Sequence, residues 1–135
     1  MMDDIIYLEA QDILKAHRLG MEQFGGMLGH PDEACVEKRI VEPQQVVFGL
    51  ETHPSFSQKA ASYLYRLIIS HCFTDGNKRV AVLSTELFLN LNGYEFLASE
   101  DQLYEMCLKI GNHKTRPSEI AVARWINSNI TKLDY

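Results

Sequence analysis

The sequence contains no long apolar run, and no stretch approaches the roughly 18 consecutive apolar residues of a membrane-spanning helix. A membrane protein is therefore not expected. Cysteine is scarce: Cys35, Cys72 and Cys107 are widely spaced, odd in number and free of any C-x-x-C arrangement. That pattern supports neither a disulfide framework nor a zinc site, so reduced thiols in a reducing compartment are the expectation. The first residues, Met1-Met2-Asp3-Asp4, lack the cationic start of a secretory signal, and a cytoplasmic protein is expected. Net positive charge is also missing, the formal charge being −5. Such a chain has no general electrostatic attraction for a polyanion, so direct binding of nucleic acid is not expected. Any phosphate site has to be built from local cations and backbone dipoles. Four of the five histidines, His17, His30, His53 and His113, are scattered, and no H-E-x-x-H pattern occurs. Metal-dependent hydrolysis gains no support from them. His17 reads as a helix-surface or groove residue, with Arg18 and Glu22 on a solvated face.

What is present is an ordinary globular mix, 46% hydrophobic and 23% charged over 135 residues. With no internal repeat and no Gly-, Pro- or Ser-rich linker, residues 1–135 are expected to form one domain. Apolar residues recur at helical spacing over most of it. Tyr7 to Phe24 predicts an amphipathic helix burying Leu8, Ile13, Leu14, Met21 and Phe24, and Gly25-Gly26 supplies its stop. Pro31-Asp32-Glu33 predicts a second helix running to about Val41, with proline in the first turn. Val46-Val47-Phe48, within Pro43 to Leu50, is β-prone and predicts a short strand or hairpin. Helical spacing returns from Ser57 to about Cys72 through Ala60, Ala61, Leu64, Leu67 and Ile68. After a break at Thr74-Asp75-Gly76, a further helix runs from Asn77 to Asn92 and ends at Gly93. Tyr94-Glu95-Phe96 suggests a β rung, followed by helices near Ser99 to Ile110 and Pro117 to Ile130. The fold class expected is mainly α with one small hairpin.

The informative segment is His71-Cys72-Phe73-Thr74-Asp75-Gly76-Asn77-Lys78-Arg79, lying between two predicted helices. The first N–H groups of the second helix have no intrahelical acceptors and sit at the positive end of its dipole. Gly76 lets backbone approach a ligand closely, and together these features make an anion site. Lys78 and Arg79 occupy the first helical turn, where each cation is disfavoured by roughly 0.3–1 kcal/mol unless an anion offsets it. Asp75 is suited to magnesium, which binds through one or two carboxylates plus substrate phosphates. His71 has the side chain suited to proton transfer near neutral pH. A base, a metal carboxylate, an anion turn and two cations within nine residues fit phosphoryl transfer, where catalysis is mostly positioning and charge stabilisation. Each residue also has a purely architectural reading. His71 can cap carbonyls, Asp75 and Arg79 can pair at i, i+4, Lys78 can be solvated, Asn77 can be an N-cap and Gly76 a turn residue. Phe73 reads as a core anchor that pins the turn.

The segment resembles the signature of the Fic/Doc family, His-x-Phe-x-(Asp/Glu)-(Gly/Ala)-Asn-(Gly/Lys)-Arg, matched without a gap. Phe24-Gly25-Gly26, the hairpin-prone stretch and Phe88-Leu89-Asn90-Leu91-Asn92-Gly93 extend the likeness over roughly residues 7 to 130. The resemblance implies a Fic-fold helical bundle with a short flap and assigns the roles. His71 is similar to the general base, Asp75 to the magnesium-binding acid, Gly76 and Asn77 to the phosphate-cradling loop, Arg79 to the phosphate-contacting arginine and Phe73 to the buried aromatic. Val46, Val47 and Phe48 fall where the family places a flap that docks a target peptide by β-addition. Lys78 stands where adenylylating members have a second glycine, and Val82 where they have a second arginine. Both features are similar to the Doc subgroup, in which the nucleotide is reversed and the γ-phosphate of ATP, rather than AMP, is transferred. For that subgroup the resemblance implies a toxin acting on a Ser/Thr hydroxyl of elongation factor Tu and restrained by a Phd-like antitoxin. The family's inhibitory pattern, (Ser/Thr)-x-x-x-Glu-(Gly/Asn), has one near match at Thr115 to Glu119, where Ile120 fails the last position; autoinhibition in cis is not expected. Three rivals are weighed: adenylyl transfer on the same fold; a HEPN-like ribonuclease, whose Arg-x4-His spacing is mimicked by Arg66 and His71; and a non-enzymatic binding module of the same fold, which the intact motif does not support.

Overall fold

The computed structural model describes residues 4–134. Six helices follow one another: α1 (Ala10–Phe24), α2 (Glu33–Val41), α3 (Phe56–Ser70), α4 (Asn77–Leu91), α5 (Glu100–Gly111) and α6 (Glu119–Ser128). Strands β1 (Val46–Val47) and β2 (Leu50–Glu51) form a hairpin, and β3 (Tyr94–Phe96) pairs antiparallel with β4 (Ile130–Lys132). The mainly α class expected from the sequence is found, with a second small sheet in addition to the hairpin. Among the described residues no helix is long and apolar enough to cross a membrane.

The helix α3 is the axis of the fold. Nine of its fifteen residues are buried, so it has no solvated face of ordinary width and must be surrounded. It packs along α4 and α6 and touches α2 and α5, while α1 lies against α4. Ala60, Ala61, Leu64, Leu67 and Ile68 all face this core, as their spacing predicts. The start of α3 is set by a capping box in which Ser55 accepts from Gln58 N and Gln58 reaches back to Ser55 N.

Several boundaries differ from the sequence expectation, each for a local reason. Helix α1 begins at Ala10 rather than Tyr7, because Glu9 and Asp12 close a reciprocal cap and Leu8 N donates to Tyr63 Oη instead. Phe24, expected in the core, is 63% exposed at the end of α1. Pro31 precedes the N-cap Asp32 rather than occupying the first turn of α2. The final helix stops at Ser128, and the chain then supplies β4 as partner to the Tyr94–Phe96 rung. A single β rung has unpaired backbone on both sides, and β4 satisfies one of them.

The cysteine expectation is overturned as well. Cys35 and Cys72 form a disulfide, with Cα atoms 5.4 Å apart, and Cys107 is a buried free thiol. A separation of 37 residues gives no hint of this, because the pairing depends on α2 lying beside the end of α3. Asp32 N also donates to Cys72 O at 2.8 Å, so the same junction is tied by backbone.

The hairpin is held from beneath by a buried cation. Lys59, 1% exposed on α3, donates to the carbonyl oxygens of His53 and Pro43 and to Glu51 Oε1 on β2. Its solvation shell is thus replaced by three oxygens, which makes burial of the charge tolerable. Above that anchor Val46, Val47, Phe48 and Leu50 are all exposed.

Candidate active site

The chain reverses between α3 and α4 over residues 71–76. His71 is the C-cap of α3 in the left-handed region, φ 52°, and is one of three non-glycine residues with positive φ among those described. This conformation ends the helix and turns the imidazole, exposed, into a cavity of about 740 Å³. Strain of this kind gathers where surrounding structure over-determines the backbone.

Asn77 closes the turn. Its Oδ1 accepts from Phe73 N at 3.2 Å and its Nδ2 donates to Phe73 O at 3.0 Å. Asn77 is therefore the first helical residue of α4 and a brace, not the N-cap. The N-cap is Gly76, φ 78°, and no side chain caps the helix. The N-terminal amides of α4 are left facing the cavity that Gly76, Asn77, Lys78 and Arg79 line. At Gly76 a Cβ would collide with the end of Met21, so glycine serves both the left-handed φ and the close packing of α1.

Asp75 lies in the same cavity wall and is exposed. Oδ1 accepts from Gly76 N at 2.8 Å and Oδ2 from Met27 N at 3.2 Å. These main-chain donors from Met27 and Gly76 hold its pKa below the usual carboxylate value, with Arg79 and His17 adding to the effect. The group is ionised at neutral pH, and each oxygen keeps a lone pair for a cation. Among the described residues no three His, Cys, Asp or Glu side chains gather into a metal cluster. The donor set thus suits an ion that takes one carboxylate and draws its other ligands from phosphates and water, which is the behaviour of magnesium.

The two cations diverge. Arg79 Nη1 reaches the carbonyl oxygens of Gly20 and Gly25 at the end of α1, and its guanidinium lies over the Phe24 ring, 4.6 Å from the centroid. It thereby caps α1 rather than pairing with Asp75. Lys78 extends the other way, beside Gly111 at the end of α5, where any side chain would meet Lys78 Cε. Phe73 is buried, 4% exposed, beneath the turn. Cys107, in the cavity wall, is a neutral thiol because burial pushes its pKa up to about 11.

One residue of the site escaped the sequence reading. His17 is 3% exposed and bonded to the turn, not a surface residue. Its spacing from Ile13, Gly20 and Met21, all buried, puts it on the inward face of α1, which periodicity alone shows. The flap residues Val46, Val47 and Phe48 do not line the cavity.

A family model described as "Fic/DOC family" matches residues 7–89, a span that holds α1 to α3, the whole turn and all but the last two residues of α4. The chain belongs to the Fic/DOC family. Among Fic/DOC proteins it is 36% identical over 95 residues to "Toxin Doc" of Mycolicibacterium smegmatis (strain ATCC 700084 / mc(2)155), covering 70% of this chain and 71% of that one. It is 27% identical over 95 residues to "Protein kinase doc" of Escherichia phage P1, covering 70% of this chain and 75% of the phage protein. These matches place the chain with the Doc branch of Fic/DOC proteins. The ribonuclease rival loses its second residue: Arg66 is held by Glu42 and Glu119 at 2.7 and 2.8 Å and does not line the cavity of His71. Glu119, the acid of the near match to the inhibitory pattern, is likewise engaged by Arg66 and His53.

Proposed function

We propose that this Fic/DOC protein is a toxin that transfers the γ-phosphate of ATP to a Ser/Thr hydroxyl of a protein target, elongation factor Tu, and so arrests translation. The observation that carries this reading is an uncapped α4 N-terminus opening on a cavity shared by His71, Asp75 and Lys78. His71 takes the proton from the target hydroxyl. Asp75 holds magnesium, which when bound neutralises phosphate charge. Gly76, Asn77 and the α4 amides cradle phosphate, and Arg79 turns its remaining donors to phosphate oxygens. Lys78 occupies the space a second glycine would leave open, which favours the reversed nucleotide and transfer of phosphate over AMP. Val46, Val47 and Phe48 dock the target chain along an exposed hairpin edge.

The names of the two relatives, one a toxin and one a protein kinase, support this reading. Exposed Leu19, Phe24, Met27 and Leu28 at the end of α1 offer apolar surface to a Phd-like antitoxin whose disordered end folds on binding. A cytoplasmic location belongs to the proposal, because the target works there.

Intact-mass spectrometry of elongation factor Tu after incubation with this protein, ATP and magnesium tests it. A gain of about 80 Da, one phosphoryl group, that depends on His71 is the expected result. A gain of one AMP overturns the role given to Lys78, and Lys78→Gly is expected to alter nucleotide orientation. No gain rejects this target.

A further inference from the structure

The turn that carries Asp75 is supported from beneath by a side chain outside the motif. His17 Nε2 lies 2.8 Å from the main-chain oxygen of Asp75. A carbonyl only accepts, so Nε2 carries the proton and donates it. The imidazole stacks on Phe73 with ring centroids 4.0 Å apart and planes at 18°. The ring edge also faces Gly76, where a Cβ would stand 3.7 Å from Nε2 and Cδ2. One buried ring thus touches Phe73 and Asp75 and faces the backbone of Gly76.

The geometry has a specific effect. A peptide group is planar, so fixing the Asp75 carbonyl also fixes the direction of the Gly76 N–H on the other side of the same plane. That N–H donates to Asp75 Oδ1 at 2.8 Å. Phe73 and Asn77 clamp the two ends of the turn, but their bonds leave the 75–76 peptide itself free to rotate. The bond from Gly76 N–H to Asp75 Oδ1 holds one side of that peptide, and His17 holds its carbonyl side from an element outside the turn.

We infer that His17 is a positioning residue: it locks the Asp75–Gly76 peptide plane and, through the Gly76 N–H, the carboxylate that receives magnesium. The consequence for nucleotide rests on the phosphotransfer reading, while the locking itself does not.

Two variants separate the donor from the ring. His17→Phe keeps a flat ring against Phe73 and removes the donor. His17→Gln loses the ring but carries an N–H donor the same number of bonds from Cβ. Amide hydrogen exchange at Gly76 in the ligand-free protein and the Kd for Mg·ATP are measured alongside the thermal midpoint. In His17→Phe, loss of the bond is expected to speed Gly76 exchange and weaken Mg·ATP binding by about tenfold each. His17→Gln is expected to return both toward wild type. If Phe does not fold, His17→Met, of similar length and without a donor, takes its place. Wild-type exchange and affinity in the donor-free variant overturn the inference, as does an equal loss in the Phe and Gln variants, which marks mere core packing. If wild type itself fails to bind Mg·ATP, the phosphotransfer reading falls and Gly76 exchange alone decides the role of His17.

Discussion

Cys35 and Cys72 are joined by a disulfide that ties α2 to the residue immediately following His71. The cross-link closes a loop of 37 residues, for which chain entropy gives an upper value of about 4 kcal/mol. The parallel bond from Asp32 N to Cys72 O does not depend on the disulfide and is expected to help hold the junction after reduction. Urea unfolding with and without reductant is expected to differ by about 2–4 kcal/mol. A Cys35→Ala/Cys72→Ala protein that unfolds with the oxidised wild type would count against a stabilising cross-link.

His71 sits at φ 52°, so its replacement has to respect the backbone as well as the chemistry. Asparagine tolerates the left-handed region better than most residues. His71→Asn is expected to keep the thermal midpoint and Mg·ATP affinity near wild type. Turnover on the target should fall by roughly 10²–10⁴, as for His71→Ala, if the imidazole is the base. Loss of nucleotide binding with the fold intact would remove it from that role.

Phe48 is fully exposed at φ 51° and is followed by Gly49 at φ 77°. Two successive left-handed residues make the hairpin turn that Asn-Gly fills best. Phe48→Asn is expected to raise stability by about 0.5–1 kcal/mol, since no packing is lost and strain is relieved. Modification of the target should fall in the same protein if the aromatic ring docks it. Improved stability with undiminished modification would take Phe48 out of the docking surface.

Glu86 lies half-buried in the cavity wall, and burial, aided by the nearby charge of Glu100, raises its pKa above 4.5. A carboxylate raised in the folded state binds protons more tightly there than in the unfolded chain. It therefore costs stability above its folded pKa, and that cost fades as pH falls toward 4.5. Glu86→Gln is expected to stabilise the protein at pH 7 by under about 1 kcal/mol, reduced by its partial exposure. The gain should vanish in denaturant titrations near pH 4; a pH-independent difference would point to packing instead.

Much of the fold was legible because α1, α3 and α4 carry their apolar residues at helical spacing, and Gly25 and Gly93 mark helix ends. The nine-residue segment was legible for a different reason: its residue types, read in order, already describe an anion turn. What sequence order could not display were contacts made across the chain. The partner of β3 is β4, 34 residues or more away, and the mate of Cys72 is Cys35. His17 reaches Asp75 across 58 positions. Phe24 looked buried by spacing, yet it lies beyond the last buried turn of α1 and covers Arg79 instead.

The Met27 N–H that braces Asp75 belongs to a segment, residues 22–30, in which every side chain is exposed. A stretch with so little buried surface can detach while α3 and its neighbours stay folded, at a free energy well below that of global unfolding. Asp75 then keeps its bond from Gly76 but loses the one from Met27. Such local opening would give one carboxylate two forms, doubly and singly bonded, that differ in the lone pairs free for a metal ion.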